Sequence, residues 1–135
     1  MAAPRTAQLK VDGCEDREVT YVQYQFNQQI DVEGQPTGTT RGGKIYFKVK
    51  SNDDGNSDLL EWMCDTYMSK SGTVSYPNRQ GGEMKHLSFK EGYMVEYAET
   101  YDNKDEMQQY EEFTITCKEI QVGNARHNNR WTIDN

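Results

Sequence analysis

Two histidines, three cysteines and 22 acidic side chains are the raw material for chemistry in this 135-residue chain. Acid–base and metal work near neutral pH usually recruits histidine, whose ordinary pKa lies closest to that range. His86 and His127 share no HxH or HxxxH spacing, the arrangement that brings two ring nitrogens onto one metal. His86 falls in step with Ser88 and Lys90 on a polar strand face and His127 falls in the tail, so both read as surface residues. A cysteine nucleophile needs a base, and commonly a helix N-terminus, to lower its pKa. Cys117 is in phase with Phe113 and Ile115 and reads as a small buried hydrophobe. Cys64 lies mid-helix and Cys14 in a turn, neither with a local histidine. The run Asp53-Asp54-Gly55-Asn56-Ser57-Asp58 begins like a calcium loop, but position 64 is a cysteine where an EF-hand needs its twelfth-position glutamate. It reads as an acidic turn that caps a helix. Gly42-Gly43-Lys44 leads into a strand and lacks the upstream glycine spacing of a phosphate loop. Catalytic, metal and cofactor residues are therefore read as none, and the chain as not an enzyme.

The elements that would hold these residues are mostly strands. Over 19–30, Val22, Tyr24, Phe26 and Ile30 alternate with Gln23, Gln25, Asn27 and Gln29, the period of a sheet with one buried face. Ile45, Phe47 and Val49 alternate with lysines over 44–50. Leu87, Phe89, Tyr93, Val95 and Tyr97 repeat the pattern over 87–97, with Glu91 on the apolar face and Gly92 marking a bulge or bend. Phe113, Ile115 and Cys117 face inward on the last long strand. Shorter strands are expected at 8–11 and 73–76. One segment has a helical period: Leu59, Trp62, Met63 and Tyr67 form a packing stripe over about 58–68, with an Asp58 to Glu61 capping box. A loop at 31–43 is long for a hairpin connection, and such loops are usually functional or disordered. A turn is expected at 78–82, and the 1–6 arm carries no pattern.

Composition sets the limits. Leu, Ile, Val and Phe make up about 16% of the chain, which with a net charge of -7 leans toward disorder. Nine tyrosines, two tryptophans and only three prolines argue for folding. A folded domain with a thin, aromatic core reconciles the two, and such a domain gains stability by burying further surface against copies of itself. No apolar run approaches the ~18 residues of a membrane span, and the first residues lack the apolar stretch of an export signal. Three cysteines without short spacing suit a reducing cytosol better than a disulfide framework. A pI near 4.8 disfavours nucleic acid as partner. Neither repeat nor linker divides the chain, so residues 1–135 are expected to form one β-rich domain with one helix.

Several short segments, in order along nearly the whole chain, carry a family resemblance. They are Leu9-Lys10-Val11-Asp12-Gly13, Tyr24-Gln25-Phe26-Asn27-Gln28, Thr40-Arg41-Gly42-Gly43-Lys44-Ile45, Leu60-Glu61-Trp62-Met63 and Phe89-Lys90-Glu91-Gly92-Tyr93. The closing segment runs from Glu119 through Gln121-Val122-Gly123-Asn124 to His127, followed by Trp131. Together they resemble the divergent branch of the Hcp (TssD) family, the tube protein of bacterial type VI secretion systems. The resemblance implies a mainly β fold, a small antiparallel β-barrel of two packed sheets with one α-helix. It implies a homo-hexameric ring, and head-to-tail stacking of rings into a hollow tube driven out of the cell by a contractile sheath. Implied partners are sheath and spike proteins and effector proteins in the lumen, with no nucleic acid and no membrane insertion. The implied route is from the bacterial cytoplasm through the type VI apparatus, without a signal peptide. The 31–43 loop resembles the family's ring-contacting loop, so Pro36, Thr37, Thr40 and Arg41 are the stacking candidates, with an ion pair to a nearby carboxylate as the plainer role for Arg41. Gln23, Gln25 and Asn27 are candidates to face the lumen. The alternative is a small-molecule-binding β-barrel carrier, which needs an apolar chamber lined by more aliphatic residues than this chain contains.

Overall fold

The computed structural model describes residues 6–52, 54–77, 85–104, 109–129 and 131. The turn expected at 78–82, Asp53 of the acidic run and nearly all of the 1–6 arm lie outside the described residues. Seven strands and a helix follow in the order β1 (Ala7–Val11), β2 (Arg17–Asn27), β3 (Arg41–Lys50), α1 (Asp58–Cys64), β4 (Lys70–Tyr76), β5 (Lys85–Tyr101), β6 (Gln109–Val122) and β7 (Ala125–Asn128). Every pairing is antiparallel; the order β3-β2-β1-β4-β5-β6 closes through β3–β6 into a six-stranded barrel, with β7 added beside β6. The expected small β-barrel with one helix is the observed architecture. β7 had no sequence signal of its own: Ala125–Asn128 is polar and pairs only with the C-terminal end of β6.

Aromatic rings fill the interior. Phe47 stacks on Phe113 at 5.0 Å, and Trp62 and Phe89 lean against that pair at 6.4 and 6.5 Å. Aliphatic residues from β1, β3, β4, β5 and β6 complete the cluster, with Leu59 entering from the helix. A barrel axis occupied this way has no room for the chamber the carrier alternative requires.

Bulges explain where simple alternation failed. β2 slips against β3 between Val19 and Tyr21, so its inward phase runs Arg17, Val19, then Val22, Tyr24. β5 and β6 bend together. Inward residues are three apart on both, Phe89 then Gly92 and Cys117 then Ile120, with Glu91 at the bend in the left-handed region at φ 52°. The phase of β5 therefore changes after Glu91, and Met94 is buried in place of the expected Tyr93 and Val95. Val95 is 44% exposed, bulged out where the β5–β6 register shifts between Met94 and Glu96.

The helix is shorter than expected. It ends at Cys64 because the Asp65 carboxylate takes the Tyr67 amide and turns the chain. Tyr67, expected in the packing stripe, is 90% exposed, and Met68 packs on the core instead, its carbonyl accepting the Trp62 indole N–H at 3.1 Å. Leu59 and Trp62 are buried, and Met63 packs against the core. Asp58 does not close the expected capping box with Glu61. Its carboxylate instead accepts from the Glu15 amide and from Arg17, while Ser57 donates to Glu61.

Candidate assembly surface

The long strand halves form a continuous four-stranded wall, β2-β3-β6-β5. One row across it reads Gln25, Lys44, Thr116, Tyr93, and the next reads Gln23, Tyr46, Thr114, Glu96. Gln23, Gln25 and Asn27 point to solvent from this wall, because they alternate with Val22 and Tyr24, which pack against the core. Tyr46 donates to Glu112, and Lys48 lies over the Tyr110 ring at 4.2 Å. Burial and the bond to the Glu112 carboxylate push the Tyr46 phenol up to about 12. Two lysines, Lys44 and Lys48, face two glutamates, Glu96 and Glu112, so the middle of the wall carries no net charge on a chain of -7.

Among the described residues both sides of the wall are open: beyond Val19, β2 pairs there only with β3, and beyond Gly92, β5 pairs there only with β6. Unpaired edges of this length template pairing with another chain unless something covers them. Tyr21 at 50% exposure on β2, and Val95 and Tyr101 on β5, add exposed apolar surface along these edges.

The loop expected over 31–43 is a structured arm of the same length shifted to 28–40, because β2 ends at Asn27 and β3 already begins at Arg41. Ile30 bridges Pro36, the Thr37 amide donates to the Gln29 carbonyl at 2.8 Å, and the Asp31 carboxylate accepts from the amides of Glu33 and Gln35. Pro36, Thr37, Thr40 and Arg41 are exposed on it or at its root. Among the described residues no carboxylate lies within ion-pair distance of Arg41, so its guanidinium is open to a partner. Gly42 and Gly43 root the arm. Gly43 takes φ +96° with its Cα against the Cys117 carbonyl, and a Cβ on Gly42 would strike the Phe26 ring. The Phe26 ring also meets His127 edge-on at 5.4 Å, and His127 shares a hydrogen bond with Asn129. His127 is thus a half-buried packing residue and not a tail residue, whereas His86 is exposed. Among the described residues no three histidine, cysteine or acidic side chains gather as a metal cage, and no helix is long and apolar enough to cross a membrane.

Sequence reasoning missed one buried site. Arg17 and Glu111, each 2% exposed, pair at 2.5 Å, and Arg17 also reaches Asp58 and Asn56 at 3.2 and 3.3 Å. Tyr97 donates to the other Glu111 oxygen at 2.5 Å. The phase of β6 held the signal, since Glu111 is in step with Phe113 and Ile115.

These features are matched in known proteins. The family model described as hemolysin coregulated protein Hcp (TssD) matches residues 4–132. The chain belongs to the Hcp (TssD) family. Hcp1 from Flavobacterium johnsoniae is 35% identical, with 92% of this chain and 99% of that chain covered and a TM-score of 0.83. Hcp1 from Salmonella typhimurium, at 10% identity, shares the fold with a TM-score of 0.73 over 91% of this chain and 93% of that one. The sheath-tube complex of an extracellular contractile injection system matches at 15% identity, with a TM-score of 0.55 over 90% of each chain. No curated protein is a significant match. Hcp proteins are the structural tube subunits of type VI secretion systems, and this chain is such a subunit.

Proposed function

We propose that six copies of this Hcp chain close into a ring and that rings stack head to tail into the secreted tube. The observation that carries this reading is the wall with two open edges. Across β2-β3-β6-β5 the strands alternate in direction, so β2 and β5 are antiparallel to each other. A copy rotated about an axis parallel to the wall brings its β5 beside the first copy's β2, and the sheet continues antiparallel from chain to chain. Such heterologous contacts close into a ring when the rotation fits and leave no edge exposed. The polar, charge-balanced face then lines the lumen, with Gln23, Gln25 and Asn27 on it, where effector proteins travel. Pro36, Thr37, Thr40 and Arg41 meet the adjoining ring. Sheath and spike proteins complete the machine, and the tube leaves the bacterial cytoplasm through it.

The test is negative-stain electron microscopy of the purified protein at micromolar concentration with its solution mass. Six-fold rings with a central hole, at about six times 15.6 kDa, are expected. Arg41→Ala should leave rings and melting unchanged while reducing stacking. Phe47→Asp should unfold the protomer, because Phe47 is fully buried and an unpaired charge there is not tolerated. A homogeneous wild-type monomer without rings would refute the assembly.

A further inference from the structure

A pocket of about 650 Å3 lies at the root of the arm, and no carboxylate among the described residues lines it, although the chain carries 22 acidic side chains. Arg41 and Thr39 line it from the arm root, Thr116 from β6, Asn128 from the end of β7 and Trp131 from beyond it. Each of these five side chains can donate a hydrogen bond, and among the described residues none of them has a hydrogen-bond partner. A lining of free donors around one unpaired guanidinium suits an oxyanion. The walls are fixed before any ligand arrives. The Asn129 side-chain amide donates to the carbonyls of Gly42 and Cys117 at 2.9 Å each, so its oxygen accepts from His127 Nε2 at 2.8 Å. Trp131 leans on Tyr93 with ring centres 6.0 Å apart. Donors held in place this way lose little entropy on binding.

We propose that this pocket binds a small phosphate ester, with the phosphate on Arg41 and the threonine hydroxyls and the organic part against Trp131. A phosphate group presents three strong acceptor oxygens, a larger demand for donors than a carboxylate makes. A bare ion fills only a fraction of a pocket of this size, which is in the range that holds whole small molecules. The indole gives the remainder of the ligand an apolar plate beside the donors. Binding itself is a property of the protomer. Its consequence rests on the reading of Arg41 as a contact to the adjoining ring: a guanidinium that holds a phosphate is not free for that contact, so the ester should keep rings apart.

Calorimetric titration of the dilute, unstacked protein at constant ionic strength tests this, with phenyl phosphate, inorganic phosphate and benzoate as probes. Phenyl phosphate should bind tightest and change the emission of Trp131. Arg41→Ala should weaken it by about tenfold or more, and Trp131→Ala should reduce it to the level of inorganic phosphate. Inorganic phosphate binding as tightly as phenyl phosphate would mean an adventitious ion only. Benzoate matching phenyl phosphate would make the site a carboxylate site, and unchanged binding by Arg41→Ala would place the ligand elsewhere; each of the three overturns the proposal. Sedimentation of concentrated protein reads the consequence: phenyl phosphate should reduce stacking in the wild type, and stacks undiminished with the pocket filled would overturn the competition at Arg41. Tight, Arg41-dependent binding by a protein that never stacks would uphold the pocket and refute the stacking reading.

Discussion

Replacing Arg17 by methionine should be among the most damaging single changes in the protomer. Its side chain is 1% exposed and pairs with a Glu111 side chain that is 2% exposed. Removing the cation leaves a carboxylate in the interior with, among the described residues, the Tyr97 hydroxyl as its remaining donor. It also cuts the tie from β2 to Asp58 on the helix. Breaking one half of a buried pair costs about 3–5 kcal/mol, mainly because the remaining charge is uncompensated. For a domain of this size that is a fall in Tm of roughly 10–20 °C. The double variant Arg17→Met with Glu111→Leu removes both charges together, so it should recover about 1–3 kcal/mol relative to the single variant. The assay is urea unfolding followed by Trp62 fluorescence, repeated at two protein concentrations so that assembly does not masquerade as protomer stability. A single variant within about 1 kcal/mol of wild type, or a double variant showing the full sum of two losses, would refute the claim that the pair is a desolvated strut.

Other sites give predictions of opposite sign. Glu91→Gly should stabilise by up to about 1 kcal/mol, since Glu91 sits at φ 52° and glycine holds that conformation without the Cβ penalty; a lower urea midpoint would contradict this. Gly43→Ala should destabilise by more than about 2 kcal/mol, because its Cβ would lie 2.6 Å from the Cys117 carbonyl oxygen at φ +96°; an unchanged melt would refute it. Burial pushes the Cys117 thiol up to about 12 and the Cys14 thiol up to about 11, so at pH 8 iodoacetamide should modify exposed Cys64 first and Cys117 only on unfolding. Peptide mapping reads the order directly. The Tyr46 phenol titrates near 12 when folded and 10 when unfolded, so its share of stability is full below pH 10 and disappears as pH rises through 12. Tyr46→Phe should shorten that alkaline decline in a pH series of melts, and an identical decline would count against it.

The legible part of the fold was the part with unbroken alternation. Ile45, Phe47 and Val49 on β3 and Phe113, Ile115 and Cys117 on β6 lie inside as their period requires, and Ile45 pairs with Ile115 and Phe47 with Phe113 in register. Alternation fails wherever a strand slips by one residue, as at Val19 to Tyr21 and at Met94 to Glu96. A one-residue slip reverses every side chain beyond it, which is why alternation points Val95 inward and gives no sign of Arg17 in the core. Tyr67 was misplaced for a local reason: the side chain of Asp65 competes with the helix for backbone amides, a contest that periodicity does not register. The candidate surface was partly visible. Alternation alone put Gln23, Gln25 and Asn27 on the solvent face. The two open edges depend on pairings between distant segments, which only the folded chain reveals.

The thin core and the open wall are two consequences of the same sequence. A chain with so few aliphatic residues fills its barrel with Phe47, Phe89, Phe113 and Trp62 and has little left to cover β2 and β5. Stability and solubility would ordinarily select against leaving Tyr21, Val95 and Tyr101 in water along unpaired edges. In a ring the same residues become interface, and the edge bonds are made without any addition to the protomer core. The stability of the fold should then depend on concentration through the edges. Val95→Lys places a charge on the β5 edge of a residue that is 44% exposed in the protomer, so the free chain should melt within about 0.5 kcal/mol of wild type. In the ring that lysine is buried against the next β2 and should abolish closure. Thermal melts at nanomolar and at high micromolar concentration separate the two cases: wild type should gain stability on concentration and Val95→Lys should not. Equal gains in both would show that the β5 edge is not where copies of this Hcp chain meet.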